Sequence, residues 1–163
     1  MRTLSAALAL LSAVQSSANA GTVQLYMPAT GPTCSDESKA YLGAWTCPGP
    51  AGYRVGFTDE GSLVGIAISK GAPRSATATW RGAGRVFGDV VEWRIGGDSI
   101  PVAAIIRTWE TRNDGSEEEV LRVFAVGDGT ACEFGKIPAR QRNANGKAAR
   151  VAEEAVGYDC GRR

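Results

Sequence analysis

The chain contains no histidine among its 163 residues, and that absence removes more chemistry than any other feature. Histidine is the commonest general base and a preferred ligand of zinc. Serine–histidine–aspartate and cysteine–histidine mechanisms are excluded by composition alone. The four cysteines show no CxxC spacing and have no histidine to complete a zinc site. No metal and no other cofactor is expected. An excess of charge is also missing: 18 Lys and Arg stand against 17 Asp and Glu. Nucleic acid and anionic membrane both call for a clear cationic surplus, so neither is an expected partner.

A long apolar run is lacking as well. Residues 4–14 form an apolar stretch of eleven residues, against about 20 needed to span a bilayer as a helix. Arg2 precedes that stretch and Ala18-Asn19-Ala20 closes it, which together predict a secretory signal cleaved before Gly21. Residues 21–163 then make a single mature domain of ordinary size, able to bury a hydrophobic core. Loss of Arg2 with the signal brings its net charge to zero. Cys34 lies too far from the cleavage site to carry a lipid, so the product is expected to be periplasmic or secreted, monomeric, and without a membrane anchor.

Export changes what Cys34, Cys47, Cys132 and Cys160 mean. An even set of cysteines in an oxidising compartment reads as two disulfides, with three possible pairings. The favoured pairing is Cys34–Cys47 with Cys132–Cys160, the first closing a short loop and the second tying a strand to the chain's final helix. Such closures are worth about 3 and about 3.5 kcal/mol by the chain-entropy account.

What fills the rest of the chain is strand and turn. Residues 22–27 allow a short strand, and residues 35–45 allow a helical turn. Tyr53, Val55 and Phe57 alternate, as do Val64, Ile66 and Ile68 across the Asp59-Glu60-Gly61 connection. Residues 70–77 hold Gly, Pro and Ser and read as a loop. In residues 90–95, Val91, Trp93 and Ile95 share one face while Val90, Glu92 and Arg94 share the other. Residues 100–110 are apolar on both faces until Arg107, as in a central strand. Asn113-Asp114-Gly115 is the strongest hairpin signal, with residues 120–126 as the returning strand. Near the end the period changes. Ala148, Val151, Ala152, Ala155 and Val156 make the stripe of an amphipathic helix, with Asn143 or Asn145 to cap its start and Gly157 its end. Its charges oppose the helix dipole, with Lys147 and Arg150 early and Glu153 and Glu154 late. The predicted fold is α+β: a curled antiparallel sheet of seven or eight strands packed against one C-terminal α-helix and stapled by disulfides, with a small barrel as the alternative.

Few side chains suggest chemistry. Glu92, Asp98 and Glu110 border apolar strands and are the candidate carboxylates, although solvated strand-end acids are the simpler reading. Gly82-Ala83-Gly84 lacks phosphate-loop spacing, and Glu117-Glu118-Glu119 lacks the alternation of a calcium loop. For ligand contact, Trp80 and Arg81 on one side and Arg140 and Arg142 on the other are the candidates. Arg140 and Arg142 open a basic cluster with Lys147, Arg150, Arg162 and Arg163 at the helix entry, where an anionic ligand could dock. The four tryptophans are expected mainly in the core, Trp80 and Trp45, flanked by turn residues, being the two most open to exposure. Trp93 and Trp109 are expected in the core.

The segments Trp80-Arg81-Gly82-Ala83-Gly84-Arg85-Val86, Gly88-Asp89-Val90 and Trp93-Arg94, with Cys132 and an Ala-rich helix ending at Cys160-Gly161, resemble a group of small uncharacterised proteins exported by Gram-negative bacteria. The likeness covers residues 75–161. It implies a periplasmic address and a shared fold, and it brings no activity with it. Where members of that group have a histidine directly after the cysteine, this chain has Glu133. Trp45-Thr46-Cys47-Pro48 leading into Tyr53, Val55 and Phe57 looks like the opening of periplasmic C-type lysozyme inhibitors, in which residues 70–77 would stand for the inhibitory loop.

These features lead to an expected function: non-catalytic binding of a protein or cell-envelope component. Lysozyme inhibition is one alternative, and carboxylate-dependent hydrolysis of glycans the other.

Overall fold

A computed structural model describes residues 21–73 and 75–161. The predicted signal sequence, Arg74 and the terminal Arg162-Arg163 pair lie outside the described residues. The chain forms β1 (Val23–Pro28), β2 (Ser35–Asp36), β3 (Gly43–Pro48), β4 (Tyr53–Asp59), β5 (Leu63–Lys70) and β6 (Ala78–Arg81). It continues through β7 (Phe87–Ile95), β8 (Pro101–Thr111), β9 (Glu117–Gly127), β10 (Thr130–Pro138) and α1 (Ala144–Glu154). The class is α+β, as the sequence predicts, with antiparallel pairing throughout.

The strands form two five-stranded sheets in place of one curled sheet. The first has the order β1-β7-β8-β9-β10 and the second the order β2-β3-β4-β5-β6. The chain leaves the second sheet after β6 and enters the first at β7, so each sheet is a meander of consecutive strands. Only β1 breaks sequence order, pairing with the outer edge of β7.

The reason for two layers lies in the side-chain pattern. Tyr53, Val55 and Phe57 of β4 and Val64, Ile66 and Ile68 of β5 make one apolar face, while Gly56, Gly65 and Ala67 keep the other face thin. A sheet apolar on one face must cover it, and the partner is the inner face of the first sheet. Val91, Trp93, Ala104, Ile106, Phe124 and Val126 meet it there. Trp45, Phe57, Phe87 and Trp80 stack or meet edge to face within this layer.

The first sheet is apolar on both faces. Its outer face presents Ala103, Ile105, Leu121, Val123 and Ala125, and α1 covers them with Ala144, Ala148, Ala152 and Ala155. The alanine stripe lets the helix approach closely. Of the predicted stripe, Val151 is half-buried and Val156 exposed, because the helix ends at Glu154. Asn143 takes the cap position in a left-handed conformation (φ 57°), but its side chain accepts no capping hydrogen bond. Its side chain instead lies across Gly146, where a methyl group would come within 2.5 Å of Asn143 Oδ1.

Both disulfides form in the favoured pairing, Cys34–Cys47 and Cys132–Cys160. The first bears on a correction: residues 35–45 hold β2, an isolated bridge between Lys39 and Leu42, and the start of β3, with no helical turn. The crosslink pins β3 beside the segment, and the Ser38 hydroxyl bonds the backbone of Ala44 in both directions at 3.1 and 3.2 Å. Those contacts hold the chain extended. The Asn113-Asp114-Gly115 hairpin forms as predicted, with Gly115 at φ 81° and Asp114 accepting from the amide and hydroxyl of Ser116.

Candidate functional site

One helix cannot cover five strands. Strands spaced about 4.8 Å apart make a sheet about 20 Å wide, against ~10 Å for a helix. The α1 helix packs over β8, β9 and β10, so the outer face of β1 and β7 is left bare. The strip beside the helix is a groove of about 370 Å³. Its floor carries Gln24 and Tyr26 of β1 with Val90, Glu92 and Arg94 of β7, and its helical wall is Asn145, Gly146, Ala148 and Ala149.

Arg94 is the unusual residue of this floor. It is 6% exposed, held by Glu92 at 2.6 Å and by Glu153 at 3.7 Å. Its Nε and Nη2 are enclosed and have no hydrogen-bond partner among the described residues, Nη2 keeping only the ionic contact with Glu92. A buried donor left without an acceptor costs about 1–3 kcal/mol, so this guanidinium is incompletely satisfied. Register explains the setting: Gln24 lies opposite Arg94 and Tyr26 opposite Glu92, and Gln24 Nε2 donates to Glu92 at 3.2 Å. Glu153, misplaced for the helix dipole, is explained here too, because it pairs with Arg94 and accepts from the Thr22 hydroxyl. At the far end Arg107 pairs with Glu119 and donates to Asn145 Oδ1 at 3.3 Å.

A second buried arginine, Arg122, lies on the opposite face of the same sheet and is 2% exposed. Its Nε donates to Thr108 Oγ1 at 3.1 Å, its Nη1 to both oxygens of Glu133, and its Nη2 to Glu110 at 2.5 Å. Lys136 adds a second cation on Glu110 at 3.1 Å. The guanidinium lies 4.0 Å from the Trp80 ring centroid, and Trp80 Nε1 donates to the carbonyl of Trp109 at 2.9 Å. Every nitrogen of this side chain is occupied.

The residues predicted from sequence fall in different places. Trp80 is not at the surface: it is 8% exposed, because its ring is the underside of the Arg122 site. Trp45 is half-buried, stacked on Phe57 with its Nε1 donating to the Ala29 carbonyl. Trp93 is fully buried, and half-buried Trp109 carries the Arg85 guanidinium over its ring. Arg81 is exposed at the end of β6. Arg140 projects past β10, with Glu118 at 3.9 Å, and Arg142 is exposed in the turn before α1. The fold does not bring Trp80 and Arg81 together with Arg140 and Arg142 in one cavity.

The carboxylates separate as well. Glu92 faces the groove, Glu110 lies across the sheet beside Arg122, and Asp98 accepts from the Ile100 amide in the β7–β8 turn. A glycosidase needs two carboxyl groups flanking one bond, and a sheet stands between Glu92 and Glu110. Among the described residues no group of three acidic or cysteine side chains is placed to hold a metal ion, and no helix is long and apolar enough to cross a membrane.

Shifted titrations lie away from the groove. Hydrogen bonds from Arg112 hold the Glu118 carboxyl below its ordinary range, and the same contact raises Arg112. The Ser116 and Ser38 hydroxyls and amides do the same for Asp114 and Asp36.

Sequence reasoning placed Arg94 on the polar face of its strand and passed over Arg122. The available signal was an arginine in the middle of an apolar strand, at 94 and at 122. Its meaning depends on which carboxylates lie across the sheet, and that requires the register. No protein-family model, no curated protein and no solved structure matches the chain.

Proposed function

We propose that the protein is an exported, non-catalytic binding domain whose groove takes an uncharged, acceptor-rich component of the cell envelope, an N-acetylated glycan chain being the chemistry that fits best. The observation that carries this reading is Arg94, a buried guanidinium at the groove floor whose Nε and Nη2 lack hydrogen-bond partners among the described residues. Glu92 and Glu153 already balance its charge, so a further full anion gains little there, whereas an amide carbonyl or hydroxyl supplies the acceptor at no electrostatic cost. Gln24 and Glu92 offer complementary amide and carboxylate groups, and the exposed Tyr26 ring offers an apolar face for a sugar. Disulfides fit an oxidising compartment.

The test is a calorimetric titration with a neutral tetramer of N-acetylglucosamine, with polyphosphate as the anionic control. Binding of the glycan alone is expected, weakened about tenfold by Arg94→Met, which corresponds to about 1.4 kcal/mol for a hydrogen bond to a charged donor. Tyr26→Ala should weaken it further. No heat of binding at millimolar glycan, tighter binding of polyphosphate, or indifference to Arg94→Met would each overturn the reading.

A further inference from the structure

Every sheet has edges, and in this molecule three of the four are blunted. The β2 edge is two residues long and the β6 edge four. The β10 edge is broken by a bulge between Glu133 and Gly135, carries Lys136, and is tied to the segment after α1 by the Cys132–Cys160 disulfide. Shortness, bulges and lysine are the devices by which proteins keep strands from pairing with other chains. The β1 edge has none of these three, and its one proline, Pro28, stands at the last position of the strand. It runs six residues, Val23–Pro28, in unbroken register with β7 and carries no charged side chain. Its side chains are unusually bare for their chemistry: Val23 is 66% exposed and Tyr26 59%, with Leu25 and neighbouring Val90 also open.

The free edge has a defined hydrogen-bonding pattern. The Ala29 amide donates to the Asp89 carbonyl at 2.8 Å, and amides alternate sides along a strand. The odd-numbered amides therefore face β7, and those of Gln24 and Tyr26 face outward. We propose that this edge pairs with the β1 edge of a second copy of the chain, antiparallel about a two-fold axis at Leu25. Gln24 then stands opposite Tyr26 of the other copy, each exchanging its outward amide and carbonyl. Leu25 meets Leu25, and Val23 meets Met27. Pro28 has no amide, but in this register it needs only its carbonyl, which faces the Thr22 amide of the second copy.

The strand is its own complement. No charge opposes a like charge, apolar side chains meet apolar ones, and each outward donor finds an acceptor. A one-residue slip would place inner-face side chains opposite outer-face ones, which fixes the register. The result is a continuous ten-stranded sheet with both grooves opening on the same side. The proposal stands independently of what the groove binds. Pairing along six residues buries less than the ~1,200 Å² of a standard interface, so the dimer is reversible and concentration-dependent.

The experiment is sedimentation equilibrium on the disulfide-bonded protein from about 10 μM to about 1 mM, a range that captures weak association, for the parent chain, Leu25→Lys and Leu25→Glu. The parent is expected to dimerise with rising concentration. Each variant alone, setting like charges face to face on the axis, should stay monomeric at every concentration, and an equimolar mixture of the two should recover the dimer. Unchanged thermal midpoints for the variants confirm that the fold is intact. A parent that is monomeric at 1 mM, a dimer indifferent to both variants, or a mixture that fails to associate would each overturn the proposal.

Discussion

Arg122 and Arg94 are two nearly buried arginines on opposite faces of one sheet, and their difference separates structure from function. Arg122 sits between two closed layers. Its partners are Glu110, Glu133, Thr108 and the Trp80 ring, and nothing is left over. Arg94 sits where the helix runs out of width. Two carboxylates neutralise it, yet its Nε and Nη2 lack hydrogen-bond partners among the described residues, and the residue lines a groove. A satisfied buried charge specifies how layers meet, whereas an incompletely satisfied one beside open space is a place for a ligand.

Breaking the closed site should have the largest effect. Arg122→Ala leaves Glu110 and Glu133 without their guanidinium in a largely dry layer, and is expected to cost about 3–5 kcal/mol in urea unfolding, the usual penalty for removing one partner of a buried pair. Arg122→Met, with both glutamates changed to glutamine, should recover part of that loss, since the two carboxylates that lost their guanidinium are then gone.

Next comes the crosslink that clamps the helix beside the open site. Cys132→Ser with Cys160→Ser should lower stability by about 3.5 kcal/mol on the loop-closure account. Hydrogen exchange should show α1 opening before either sheet, because its reversed charges make it a poor helix alone. Equal protection of helix and sheet would contradict the idea that the disulfide holds it.

Arg94→Met should cost far less than Arg122→Ala, about 1 kcal/mol, because Glu153 is well exposed and re-solvates and the unmet Nε disappears with the side chain. If the two arginines cost the same, the contrast between closed and open sites fails.

The smallest effect is on acid stability. Asp36, Asp114 and Glu118 are held below their ordinary values of 3.8 and 4.5 by hydrogen bonds in the folded chain. A lowered folded value means the stabilisation is complete above the unfolded value and is lost as pH falls through the folded one. Denaturation midpoints should therefore be flat near neutrality and decline only below about pH 4.5. Ser116→Ala should make that decline slightly shallower, because the Asp114 value returns toward its unfolded one.

Much of the fold was legible because local signals agreed. Tyr53, Val55 and Phe57 alternate whether or not β5 exists, Asn113-Asp114-Gly115 turns through its own backbone preferences, and the spacing of Ala148, Ala152 and Ala155 belongs to a helix. The disulfide pairing favoured among the three possible ones is the one that forms. Trp80 misled because turn residues flank it, and flanking says nothing about a guanidinium arriving from a strand forty residues later. The same limit hid the candidate site: Gln24, Arg94 and Asn145 are far apart in sequence, and each alone reads as an ordinary surface residue.

The sequence by itself determined the long strands, the main hairpins, the helix and the presence of two crosslinks, because those depend on periodicity, turn preference and cysteine count within short stretches. Only the tertiary structure decided that the strands form two layers, that one helix covers three strands of five, and which arginine is satisfied. Those outcomes depend on how widths and registers of distant segments match, and a fixed helix diameter laid on a wider sheet is what leaves the groove.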